Sequence, residues 1–188
     1  MAARTAGAAG LGLHANRVLS FVPNLLADVL IRGIALVLLG SHEVRDRAVA
    51  AVIPVIEQHY AADFGGARVV QLSPRAGDLL SRLYGRVLAA TWCSTVYLMP
   101  GALAYAEDGL PDPESLDTLA HELWHVHQFR SSGGGLPWVL RWVREQRRYG
   151  GWDMPIEAEA REMAAGFLRR WQEHHGPRRA VPGAQAEG

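Results

Sequence analysis

Apolar residues recur in this chain at two spacings, and the alternation between them outlines the elements. Residues 18–40 are mostly apolar, but Ser20, Asn24, Asp28 and Arg32 recur every four residues and form one narrow polar stripe, with Asp28 and Arg32 placed to pair. Pro23 and Gly33 interrupt the run, and its clean helical part, 24–39, would be roughly 24 Å long against a hydrocarbon core of about 30 Å. The pattern therefore favours an apolar helix over residues 17–40 that packs on the domain or a partner, or lies in a membrane interface, over a membrane span. Residues 45–60 form a second helical pattern despite Pro54, with Val49, Val52, Ile53 and Ile56 on one side. His42-Glu43, just before it, reads as that helix's N-terminus.

Gly65-Gly66 turns the chain into a short β-branched strand at 67–72. A helix is expected at 75–84, and two extended segments at 86–91 and 94–99. The strongest helical signal covers 116–130, with Asp117 as N-cap, Ser131-Ser132-Gly133 as stop, and Leu116, Leu119, Ala120, Leu123, Val126 and Phe129 as the buried face. A Trp- and Arg-rich helix follows at 137–149, where Trp138 and Trp142, four apart, pack. Another helix starts near Pro155 and runs to about 175. The Ala/Gly-rich residues 1–16 and the Pro/Gly/Ala tail 177–188 are expected to be disordered. The pattern as a whole predicts an α+β, mostly helical domain over residues 41–176, with a small β-sheet beside the 116–130 helix.

At 188 residues the chain is long enough for one domain with a real core and short for two. All 19 basic residues are Arg and the formal net charge is zero. That excludes lysine Schiff-base and P-loop chemistry and leaves no global basic field for nucleic acid. The charges are uneven: residues 107–122 hold six acids and no Lys or Arg, whereas 141–179 are Arg-rich. Such an arginine surface would orient a substrate carboxylate or an acidic partner, or simply be a solvated helix face. Cys93 is the only cysteine, so no intrachain disulfide forms. A cytoplasmic location and a packed, buried thiol at Cys93 are the corresponding expectations, with membrane association through residues 18–40 as the alternative to packing of that segment.

Chemistry concentrates in His121-Glu122-Leu123-Trp124-His125. Residues four apart stack on one helix face, so two imidazoles reach one cation. Glu122 lies about 100° round the helix, where it can hold a water on that cation without being a ligand. His42-Glu43 opens a similar pattern that ends in Asp46, so no second metal triad follows. A catalytic zinc normally takes three protein ligands, and the third is expected from the helix beginning near Pro155. Glu157 and Glu159 are two apart and cannot both face the metal; the spacing alone leaves either one.

An HExxH followed about thirty residues later by a Glu-x-x-Ala helix resembles the gluzincin class of zinc metallopeptidases, and Glu157-Ala158-Glu159-Ala160 fits with Glu157 as third ligand. Arg161 stands where that class often has Asp. More narrowly, residues 69–170 resemble a small HExxH domain of unknown function found with bacterial extracellular contractile injection systems. The resemblance rests on Ala89-Ala90-Thr91, on Thr95-Val96-Tyr97-Leu98-Met99-Pro100-Gly101 and on Leu119-Ala120-His121-Glu122-Leu123-Trp124-His125-Val126-His127-Gln128. It implies a zincin-like fold and a peptidase-like zinc site held by His121, His125 and Glu157, acting on a peptide or protein substrate. It further implies an edge strand for the substrate backbone at 95–99, a stretch that reads equally as a buried core strand. Zinc there would bring the pKa of water down towards about 7 and polarise a carbonyl, with Glu122 taking the proton and passing it to the leaving amine. Tyr105, Tyr149 and His127 are the available oxyanion donors, though His127 lies about 200° from His125 on the helix. The alternative reading is a zinc-stabilised structural or interaction module.

Overall fold

The computed structural model describes residues 41–44, 46–84, 87–151, 153–176 and 180–185. The expectations for 1–16 and 17–40 lie outside those residues. Among the described residues no helix is long and apolar enough to cross a membrane. The chain runs β1 (Ser41–Glu43), α1 (Arg47–Tyr60), β2 (Arg68–Leu72), α2 (Pro74–Tyr84), β3 (Ala89–Trp92), β4 (Thr95–Leu98), β5 (Ala104–Ala106), α3 (Pro113–Ser131), α4 (Gly135–Tyr149), α5 (Pro155–His175) and β6 (Ala180–Gln185). The fold is α+β and mostly helical, as the periodicities predict.

Four strands form a sheet in the order β1-β2-β4-β3, with β2 and β4 parallel and the outer pairs antiparallel. Three expectations change here. His42-Glu43 belongs to strand β1, because the helix start is claimed downstream by Asp46, whose carboxylate accepts the Ala48 N–H at 2.6 Å. The segment 95–99 is interior: β4 pairs on both sides, and Val96, Tyr97 and Leu98 are buried. The edge is β3 instead. Cys93 is exposed, because it occupies the two-residue turn between β3 and β4 with φ 58°, a left-handed conformation that tight hairpins demand.

Helix α3 begins one turn earlier than the pattern suggests. Asp112 accepts the Ser115 N–H at 2.8 Å and Pro113 follows at the first helical position, so Asp117 lies inside the helix rather than at its cap. Leu116, Leu119, Ala120, Leu123 and Val126 are fully buried, and Phe129 is partly so. They join Val49, Val52 and Ile56 of α1, Val69, Val70 and Leu72 of β2, Val96 and Leu98 of β4, and Ala160, Ala164 and Phe167 of α5 in one core. Each of the large aliphatic side chains contributes about 1.5–3 kcal/mol by leaving water.

Near His125 and Gln128, α3 meets the first turn of α5, and near Pro113 and Asp117 it meets the last turns, at Leu168 and Gln172. The two helices are therefore antiparallel neighbours. Ala160 and Ala164 sit fully buried in the seam, and small residues there let the backbones approach. Residues 180–185, expected to be part of a disordered tail, form β6, which pairs antiparallel with β5. The sequence there, Ala-Val-Pro-Gly-Ala-Gln, holds both Pro and Gly and no apolar alternation, so nothing in it announces a strand.

Candidate metal centre

His121 and His125 sit in the middle turns of α3, on the face turned towards the start of α5. Glu157 lies in the first turn of α5, and that turn is fixed from outside the helix. Met154 at the N-cap has no side-chain oxygen to offer, and the carboxylate of Glu145, buried on α4, accepts the Ile156 N–H at 3.0 Å instead. Arg141, one turn before Glu145, holds the other oxygen of that carboxylate at 2.9 Å.

The three side chains converge. The Nε2 atoms of His121 and His125 are 3.1 Å apart, Glu157 Oε2 is 3.3 Å from His121 Nε2, and Glu157 Oε1 is 3.4 Å from His125 Nε2. Metal–nitrogen and metal–oxygen bonds of about 2.0–2.1 Å at tetrahedral angles put neighbouring donor atoms about 3.3–3.4 Å apart. The donor set thus has the size and chemistry of three corners of a small-cation site, and among the described residues these three form the one such group.

The local charges are strongly coupled. Burial by itself pushes the His125 imidazole down, but its bond to Glu157 and the charges of Glu122 and Glu157 outweigh that and raise it to about 9. Burial likewise pushes the Glu157 carboxyl up, and the bonds and charges of His121 and His125 reverse this and hold it well below the usual carboxylate range.

Glu122 is 8% exposed and stands beside the group without joining it. Its Oε2 accepts a hydrogen bond of 2.7 Å from the Thr91 hydroxyl on the edge strand β3, and that hydroxyl also lies 3.0 Å from the Glu122 carbonyl. Glu159 faces elsewhere: it accepts from the Gln128 amide at 2.9 Å and lies 4.0 Å from Arg141. The choice left open by spacing therefore falls on Glu157. Among the oxyanion candidates, Tyr105 donates its hydroxyl to Asp46, Tyr149 is exposed beside Arg148, and His127 lies against the Trp124 ring at 4.6 Å.

The sequence singled out the two histidines, the acid between them and Glu157. It gave no sign that Thr91 holds Glu122 or that Glu145 caps the ligand helix, since each contact joins two different elements whose packing the local pattern does not fix. Gln128 entered only as the last residue of the stretch that carries the resemblance, with no role attached. Comparison with protein-family models, curated proteins and solved structures finds no match to this chain.

Proposed function

We propose that this chain is a zinc-dependent metallopeptidase, with His121, His125 and Glu157 as ligands and Glu122 as general base. The observation that carries the reading is the arrangement of four groups: three donors converge at 3.1 to 3.4 Å, and a fourth, buried carboxylate stands beside them uncommitted to the cluster. A site built only to hold a metal for stability has no use for that fourth group. Two imidazole nitrogens and one carboxylate oxygen form a donor set typical of catalytic zinc, which when bound supplies a Lewis acid that activates water and polarises a carbonyl.

The chain's own residues supply the rest. The Thr91 hydroxyl holds Glu122 Oε2 and leaves Oε1 to take a proton from water and return it to the departing amine. Strand β3 has one edge paired to β4, and its outer edge is suited to binding a peptide backbone in extended form. Because Thr91 lies on β3, the strand that would align the substrate also holds the base.

The test is hydrolysis of an unstructured protein substrate by wild type and Glu122→Gln, each loaded with zinc. A loss of about a hundred- to ten-thousand-fold with zinc content unchanged is expected. Zinc bound by a wild type without hydrolysis of any peptide would leave the chain as a zinc-stabilised interaction module.

A further inference from the structure

Gln128 is 2% exposed and makes three hydrogen bonds, and their chemistry fixes which way its amide faces. Its Nε2 lies 3.0 Å from the Ile156 carbonyl and 2.9 Å from Glu159 Oε2. A carbonyl and a carboxylate only accept, so the amide NH2 must occupy that side and the amide oxygen the other. The oxygen lies 2.8 Å from His125 Nδ1, which must therefore donate. With Nδ1 committed as a donor to Gln128, Nε2 is the nitrogen left for a cation, and the neutral imidazole that binds one carries its hydrogen on Nδ1.

From this chain of donors and acceptors we infer that Gln128 and Glu159 are positioning residues for the metal centre: Glu159 orients the Gln128 amide, and Gln128 sets the orientation and tautomer of the ligand His125. The role rests on the metal reading given above. It also divides the labour of two glutamates two residues apart. Glu157 reaches the centre directly, and Glu159, half-exposed on the same turn, acts on it through Gln128. The same amide bonds the Ile156 carbonyl, so one buried side chain ties the helix that carries both histidines to the turn that carries Glu157. Bonds of this kind to a ligating imidazole change metal affinity by about ten- to a hundredfold when removed.

The experiment measures zinc affinity of the full chain by competition with a chromophoric chelator, alongside the melting temperature of the metal-free protein. Gln128→Met, of similar size but without polar groups, is expected to bind zinc ten- to a hundredfold more weakly. Gln128→Glu keeps an acceptor for His125 but sets a carboxylate against Glu159, and should be similarly weak. Adding Glu159→Gln restores a donor opposite the carboxylate and should recover most of the loss. Glu159→Lys, at a half-exposed position that tolerates substitution, puts a donor where the amide needs an acceptor and should weaken binding at least tenfold even where Gln128→Met fails to fold. Wild-type affinity in Gln128→Met or in Glu159→Lys, or a double variant no better than Gln128→Glu alone, would overturn the role. Absence of zinc binding in wild type would overturn the metal centre itself, and this role with it.

Discussion

His121, His125 and Glu157 turn their charges towards one another in the interior, whereas one and a half turns further along the same helix Arg130 spreads its guanidinium over the surface. Arg130 donates to the Gly65 carbonyl at 2.8 Å and to the Ser94 hydroxyl at 3.3 Å, and so pins the end of α3 to the loop before β2 and to the β3–β4 turn. Gly65 is part of the fit: a Cβ there would lie 2.8 Å from the Arg130 Nη1. Each nitrogen of the guanidinium meets at least one acceptor, and the latch lies at the surface. The interior cluster is different. Its two imidazole nitrogens face each other at 3.1 Å, a distance satisfied only by a shared proton or by a cation. Convergent, desolvated groups of that kind are costly to bury unless a proton or a cation lies between them, which is why we read one cluster as a site and the other as a fastener.

The sharpest separation of the two clusters is thermal. Excess zinc at about a thousand times its dissociation constant adds about 4 kcal/mol to folding, or roughly 10 °C for a chain of this size. Wild type and Arg130→Ala should both show that shift, and His125→Ala should show none, as a melting curve with and without zinc would reveal.

Protons offer the next comparison. In the metal-free protein the His125 pKa is raised to about 9 from 6.5, so its contribution to stability is fully present below about pH 6.5 and is lost as pH rises through 9. The Glu157 carboxyl is lowered, so its contribution is present above its ordinary value of 4.5 and is lost as pH falls below that. The cluster should therefore stabilise metal-free protein most between those limits. Zinc must displace the His125 proton, so its affinity should rise about tenfold per pH unit up to about 9. Affinity that does not change between pH 6.5 and 8.5 would separate His125 from the metal.

Smaller effects distinguish the base from its support. Thr91→Val keeps the shape of the β3 side chain and removes the hydrogen bond to Glu122 Oε2, so hydrolysis should fall about tenfold while zinc content stays at the wild-type level. Smallest of all, Arg130→Ala should cost about 1 kcal/mol of stability, read by denaturant unfolding, and leave zinc affinity unaltered.

The parts of the molecule that were legible in its sequence are those whose physics is local. Amphipathic spacing located α1, α2, α3 and α5 to within a few residues, and a spacing of four put His121 and His125 on one face. The start of α3 lies one turn before Asp117, the cap that the pattern suggests, because Asp112 caps the helix and Pro113 takes its first position. Glu157 and Glu159 were indistinguishable by spacing, because what separates them is the seam between α3 and α5 and the position of Gln128. Of the two readings open for residues 95–99, edge or core strand, the structure takes the core strand. Thr95-Val96-Tyr97-Leu98 is the more apolar of the two neighbouring strands, and that marks it as interior, while Ala89-Ala90-Thr91-Trp92, half-buried throughout, lies at the rim beside Glu122.

The most direct test of the account is the metal content, by plasma mass spectrometry, of wild type, His125→Ala and Glu157→Ala purified without added metal. About one zinc per chain in wild type, absent from both variants, is the predicted result. A wild type without metal even after zinc is supplied would contradict the account at its centre, and zinc retained by Glu157→Ala would remove Glu157 from the ligand set.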